Sequence, residues 1–122
     1  MRNVKYGMPA VHYPPVEQNA QTLRMYEAAG LDFALFWDNL IVGFPQSIWT
    51  PDITPAAAHY NVDNLLDGFI PMAQGAMVTE NLELVMMALD PFRRAPNVVT
   101  QQILGIDHLS KGRASFHFGA GE

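Results

Sequence analysis

Residues 106–122 read IDHLSKGRASFHFGAGE and contain one complete transition from a helix to a strand. The helical pattern ends near Ser110, and the turn residues Lys111-Gly112 redirect the chain. The following segment, 114–118, is rich in aromatic residues and is typical of a strand. Gly119 and Gly121 come directly after it, where a backbone without Cβ atoms can approach a ligand closely. Helix, turn and strand in this order indicate a βα-repeat architecture.

The same alternation extends back to the N-terminus. The predicted strands are 4–8, 32–37, 82–89 and 114–118, and the predicted helices are 17–29, 66–79 and one from Pro96 with Val99, Ile103 and Ile106 on its buried face. The apolar runs in the second and third strands are typical of parallel strands covered on both faces. Gly30 is expected to cap the first helix and Pro71 to lie in the first turn of the second. The order β-α-β-α-β-α-β predicts a right-handed parallel α/β fold, either an open doubly wound sheet or part of a closed barrel.

Composition narrows the function classes. The chain has 122 residues, 49% of them hydrophobic, which suffices for one domain with a core. A net charge of -5 argues against a nucleic-acid partner, and no apolar run reaches the roughly 20 residues of a membrane span. The absence of cysteine excludes disulfides and fits a cytoplasmic location. No metal is expected, because no histidine pair has zinc-ligand spacing, and His59, His108 and His117 are expected to be structural.

About twenty residues after Asn39 show no regular period. A loop of this length inside a compact domain is usually functional or disordered, and its aromatic content weighs against disorder. Phe44, Ile48 and Trp49 could form an apolar lid over a substrate. They could equally pack the loop onto the rest of the protein.

Three motifs resemble one family. Residues 106–113 with 118–122 resemble its D-x-L-S-x-G-R … G-x-G-x-G-E segment, which spans helix 3, a turn and strand 4. Residues 29–32, leading to 37–39, resemble its A-x-G-[FM]-D … [SW]-D-H pattern at strand 2, and 92–96 resembles its F-R-x-N-P link after strand 3. The chain is therefore similar to the luciferase-like monooxygenase superfamily of flavin- and coenzyme F420-dependent oxidoreductases.

The resemblance implies a (β/α)₈ TIM barrel, of which residues 1–122 would be the N-terminal half with four parallel strands and three helices. It is strongest to the branch that uses coenzyme F420, which implies hydride transfer to or from a small organic or lipid carbonyl or alcohol. The alternatives are an FMN-dependent monooxygenase, a non-catalytic barrel relative and a small flavodoxin-like domain. The full-length enzyme would be a homodimer acting on a small-molecule substrate. The chain by itself is expected to bind cofactor weakly, because half a barrel exposes its interior.

Barrel enzymes place their active sites at the carboxyl ends of the strands. The cofactor-binding residues that the resemblance implies are Asp38, Met86, Met87, Gly119, Ala120 and Gly121. Asp38 would contact the ring, although it could instead cap the following turn. Met86 and Met87 would lie at a bulge of strand 3 where a cis non-prolyl peptide backs the ring. Asp38, Met87 and Gly119 should then lie at one edge of the sheet.

The proton chemistry departs from the family pattern at Asn39, where the relatives usually have histidine. Asparagine cannot titrate and can only orient a ligand and form hydrogen bonds with it. Glu122 is the predicted acid near the substrate, and His12, at the end of the first strand, could supply the missing imidazole. A surface loop histidine is the alternative for His12. The predicted catalytic residues are Asp38, Asn39, Glu122 and His12.

Overall fold

A computed structural model of the chain describes residues 4–41, 43 and 45–120. The strands are β1 (Gly7–Pro9), β2 (Phe33–Phe36), β3 (Glu83–Leu89) and β4 (Ala114–Phe118), and the helices are α1 (Val16–Ala28), α2 (Phe69–Val78) and α3 (Pro96–Ser110). Two 3₁₀ turns, Gln46–Ile48 and Pro55–Ala58, interrupt the long segment between β2 and α2. The predictions for Phe44, Gly121 and Glu122 lie outside the described residues.

The four strands form one parallel sheet in the order β1-β2-β3-β4, as predicted. Because side chains alternate along a strand, the register divides the sheet into two faces. Ala34 and Leu84 are neighbours on one face, which packs against Leu23 and Met72 of the helices. Leu35 and Val85 are neighbours on the other face.

All three described helices cover the same face of the sheet. α2 packs between α1 and α3, and the core joins the helices to one side of β2 and β3. The opposite face carries Phe33, Leu35, Val85, Met87 and His117, which line an open groove of about 290 Å³. Helices on one face only are the arrangement of a barrel wall, whereas a doubly wound sheet has helices on both faces. The predicted barrel-type arrangement is therefore confirmed over the described residues.

Most element boundaries lie within one residue of the prediction, but the starts of β1 and α2 lie three residues later, because tertiary hydrogen bonds decide them. β1 lies later than 4–8, since pairing with β2 begins where the Tyr6 carbonyl accepts from the Asp32 N–H. α2 begins at Phe69 rather than 66, because the Leu66 N–H donates to the His12 carbonyl. The Asp67 carboxylate then accepts from the Phe69 N–H, which marks the start of the helix.

The turn between α3 and β4 is a structural anchor. Lys111 and Gly112 both have positive φ, 56° and 80°, so the helix ends in a left-handed turn. The Arg113 guanidinium then donates to the carbonyls of Ala76, Thr79, Leu82 and Ser110. These bonds tie the carboxyl end of α2, the start of β3 and the end of α3 together. The S-x-G-R part of the motif therefore serves the fold, at the edge of the sheet opposite the strand ends.

We expect Glu27→Gln to destabilise the protein by about 1–3 kcal/mol at pH 7, because three backbone N–H groups would lose a charged acceptor. Glu27 accepts from the N–H groups of Glu80, Asn81 and Leu82. Burial alone would raise the pKa of Glu27, but these hydrogen bonds outweigh it and lower the pKa. Because the pKa of Glu27 is lower in the folded than in the unfolded protein, its carboxylate stabilises the fold at pH values above the unfolded-state pKa. This stabilisation is lost as the pH falls through the folded-state pKa.

Urea denaturation at pH 7 and at about pH 3 measures the effect, since an unfolded-state glutamate titrates near 4.3. The difference between wild type and variant should shrink at the lower pH. Glu17→Gln, at an exposed position in the same helix, is the matched control. A Glu27→Gln protein whose deficit stays constant across this range contradicts the assigned role of the carboxylate.

Candidate functional site

The carboxyl ends of β2, β3 and β4 meet at one pocket. Its volume is about 230 Å³, and its lining residues are Asp38, Asn39, Ala88, Leu89, Asp90, Gly119 and Ala120. The Gly119 N–H donates to the Leu89 carbonyl at 3.0 Å, which continues the sheet past the last residue of β4. Asp38, Met87 and Gly119 therefore emerge at the same edge, as predicted.

β3 bulges at this edge. The register with β4 shifts between Met87 and Leu89, and the Met87–Ala88 peptide bond is cis. The expected bulge with a cis non-prolyl bond is confirmed. The two methionines lie on opposite faces: Met86 is fully buried in the core, while Met87 is 52% exposed on the helix-free face. Of the two, Met87 is the one with a side chain available to a ligand.

Asp38 is the centre of a buried ion-pair network. Its side chain is fully buried, and both carboxylate oxygens accept hydrogen bonds from the guanidinium groups of Arg93 and Arg94. The Asp90 N–H also donates to Asp38 Oδ2 at 3.1 Å. Arg94 reaches on to Asp67 at 2.5 Å, directly before α2. The network thus joins the segments that follow β2 and β3 to the start of α2.

This arrangement bears on the role expected for Asp38. A carboxylate has about four lone-pair sites, and those of Asp38 already face two arginines and one backbone N–H. Asp38 borders the pocket, but the geometry supports a role in shaping the pocket rather than in contacting the ring directly. Ring contact by Asp38 stays a prediction. In the sequence, Arg93 and Arg94 stand out only as part of the motif at 92–96; two adjacent arginines after a buried strand were the available signal for this network.

His12 is buried, with no exposed surface, so the alternative of a surface loop histidine is wrong. Its Nδ1 lies 3.1 Å from the Ala10 carbonyl, and its Nε2 accepts from the Trp37 N–H at 3.2 Å. The ring also stacks on Trp37 at 4.3 Å. Burial lowers the pKa of His12 to about 4, against a smaller opposite effect of the hydrogen bond to Ala10. A neutral imidazole therefore joins the ends of β1 and β2, and the geometry supports a structural role.

The remaining candidate residues differ in whether they lie at the pocket. Asn39 lines the pocket beside Ala88 and Ala120, whereas His59 and His108 are exposed away from it.

In the long segment after β2, the Trp49 indole donates to the Tyr60 carbonyl at 2.7 Å. This bond supports packing of the loop onto itself rather than a lid. The described helices include none long and apolar enough to cross a membrane.

The fold and the site together define a barrel-type α/β protein with a pocket at its strand ends. The family model of the luciferase-like monooxygenases matches residues 3–122. The chain therefore belongs to the luciferase-like monooxygenase family.

Solved structures share the fold at low sequence identity. The coenzyme F420-dependent tetrahydromethanopterin reductase of Methanopyrus kandleri matches 98% of this chain with a TM-score of 0.73 and 18% identity, and 28% of its own chain is covered. The FMN-bound oxygenating constituent of 3,6-diketocamphane monooxygenase from Pseudomonas putida matches 98% of the chain with a TM-score of 0.71 and 15% identity, over 30% of its own chain. A riboflavin lyase with modified FMN matches 98% at a TM-score of 0.71 and 22% identity, also over 30% of its chain. The chain thus spans 28–30% of the length of these proteins.

Proposed function

We propose that this chain carries the N-terminal half of the barrel of a coenzyme F420-dependent oxidoreductase that transfers hydride to or from a carbonyl or alcohol substrate. The observation that carries the proposal is the pocket at the carboxyl ends of β2, β3 and β4, where barrel enzymes hold their ligands. Family membership supports a flavin-type cofactor. The proposed enzyme acts on a small molecule and works as a homodimer in its full-length form.

The residues at this edge fit a flat ring system. Ala88, Gly119 and Ala120 are small, so their side chains leave the pocket wall open to close approach by a planar group. Asn39 supplies an amide that can both donate and accept at the same wall. A deazaflavin bound here would supply the hydride chemistry. The chain's own residues would hold the ring in place and exclude water from one side of it.

The rigidity of this wall comes from the ion pairs behind it. Asp38 and Asp90 border the pocket, and Arg93 holds both the carboxylate and the backbone carbonyl of Asp38. Asn39 follows Asp38 directly, so fixing the Asp38 backbone also limits where the amide can lie. Such preorganisation favours catalysis because the orienting groups need not move during the reaction.

The FMN-dependent monooxygenase is the second candidate, since one structural neighbour is bound to FMN and another contains modified FMN. A titration of the full-length protein with coenzyme F420 and with FMN, followed by cofactor fluorescence, tests both proposals. We expect F420 to bind more tightly and its reduced form to be oxidised by a carbonyl substrate without oxygen consumption. Exclusive FMN binding with oxygen uptake would favour the monooxygenase. Binding of neither cofactor would favour the non-catalytic relative.

Asn39→His tests whether the proton is handled at this position. If Asn39 orients the ring or the substrate, the variant should turn over more slowly without a new ionisation near pH 6–7, the range of imidazole. We expect this outcome, because proton transfer would then lie with Glu122 or an ordered water. Glu122→Gln should lower turnover by about 10²-fold. Turnover measured against pH in both variants decides the question: a new titrating step in Asn39→His, or Glu122→Gln at the wild-type rate, contradicts it.

A further inference from the structure

A second pocket adjoins the proposed ring site. Its volume is about 550 Å³, and among the described residues its lining consists of Asp38, Leu40, Ile41, Gly43, Asp90, Phe92 and Arg93. Asp38 and Asp90 line both pockets, so the two cavities are neighbours. Ligand pockets commonly have volumes of about 300–1,000 Å³, which places this cavity in the range of a small organic molecule.

Three large apolar side chains stand exposed around this pocket. Leu40, Ile41 and Phe92 are 72%, 66% and 80% exposed. Leu40 and Ile41 follow β2, while Phe92 follows β3, so two separate segments present apolar side chains to one cavity. Covering such surface with an apolar ligand is favourable at roughly 25 cal/mol per Å².

Of the charged groups that line the pocket, Arg93 and Asp38 are paired with each other, whereas Asp90 accepts a backbone hydrogen bond. The Arg93 guanidinium donates to the carbonyl and the carboxylate of Asp38 and also approaches Asp67 at 3.8 Å. An Asp90 carboxylate oxygen accepts from the Phe92 N–H at 2.8 Å. The lining holds two carboxylates against one guanidinium, and that guanidinium is already engaged. Among the described lining residues, a phosphate or carboxylate entering the pocket would meet net negative charge and a guanidinium that is already engaged.

We propose that this second pocket is the substrate site and that it selects neutral, apolar carbonyl compounds over anionic ones such as sugar phosphates or carboxylates. As the substrate site of a hydride-transfer enzyme, it depends on the function proposed above. The binding preference itself depends only on the lining of the pocket. Leu40, Ile41 and Phe92 are then the residues that determine specificity.

A ligand series of 2-heptanone, 2-octanone and 2-nonanone, with nonanoate as the anionic counterpart, tests the proposal. The full-length protein is titrated with each compound, and binding is followed through the ¹³C-methyl NMR signals of Leu40 and Ile41. We expect affinity to rise roughly fourfold per added methylene group. Nonanoate should bind at least tenfold more weakly than 2-nonanone. Equal affinity for nonanoate, or ketone binding that does not shift these methyl signals, overturns the proposal.

Ile41→Glu provides the decisive variant, because a carboxylate beside the pocket should weaken 2-nonanone binding at least tenfold. Ile53→Glu is the matched control: Ile53 lies in the same inter-element segment with 65% exposure and does not line the pocket. We expect the control to bind as wild type does. Equal Kd values for the two variants overturn the proposal. Ketone binding is measured without cofactor. A protein that binds 2-nonanone but neither F420 nor FMN would therefore refute the proposed function and leave the preference of the second pocket standing.

Discussion

Arg94→Met is expected to lower the free energy of unfolding by about 3–5 kcal/mol, the usual cost of removing one partner from a buried ion pair. The variant would leave Asp38 fully buried with one of its two guanidinium partners, and Asp67 without its partner at 2.5 Å. Methionine retains much of the side-chain volume, so lost packing contributes little. The stacking of the guanidinium over Phe69, at 5.3 Å, would also be lost.

Two further variants separate the causes. Arg94→Lys keeps the charge but cannot form the paired hydrogen bonds to Asp38, so an intermediate loss is expected. Lys5→Met breaks the Lys5–Glu83 pair, whose lysine side chain is 62% exposed, and should change stability much less, because water screens an exposed pair. Urea denaturation of all three variants gives the comparison. Equal losses for Arg94→Met and Lys5→Met would show that the buried network does not stabilise the strand ends.

His12→Leu is the second change with a large expected effect, a loss of about 2–4 kcal/mol at pH 7. The variant removes the buried imidazole and leaves its two partners, the Ala10 carbonyl and the Trp37 N–H, unpaired. It also removes the ring that stacks on Trp37. The junction between the ends of β1 and β2 should loosen as a result.

The stability difference between wild type and His12→Leu should depend on pH. Burial lowers the pKa of His12 to about 4 in the folded protein, below the roughly 6.5 of an unfolded chain. The neutral imidazole of His12 contributes its full stabilisation of the fold above about pH 6.5. As the pH falls toward 4, the unfolded chain takes up the proton first, and about 3 kcal/mol of stability is lost. The deficit of His12→Leu relative to wild type should therefore shrink over this range. His59→Leu, at an exposed position, should change stability little. A deficit for His12→Leu that is independent of pH would contradict the buried neutral imidazole.

Local patterns in the sequence were sufficient for the element order and for several boundaries. β4 has its predicted limits, α3 begins at Pro96, and Gly30 has the positive φ of 77° expected of a helix cap. These features depend on residues close together in the chain: a proline in the first helical turn, a glycine without a Cβ atom and an apolar run. The motif similarity likewise identified the family from short segments, because their spacing follows from the same turns.

Sequence periodicity could not choose between an open sheet and a barrel wall, since buried parallel strands are apolar in both. Tertiary packing decided it by leaving the Leu35 and Val85 face without helices. Tertiary contacts also assigned Asp38 to an ion-pair network with Arg93 and Arg94, which lie 55 and 56 positions further along the chain.

The sequence by itself thus determined a parallel βα fold, and it placed the candidate site residues directly after the strands. Only the folded structure decided which of those residues reach a pocket. Asp38 and His12 both follow strands, yet the Asp38 carboxylate and the His12 Nε2 are held by partners distant in sequence. Burying a polar group costs free energy unless it is paired, so each of them is held by whatever partner the fold brings close. That partner is set by three-dimensional proximity, which spacing along the chain does not encode.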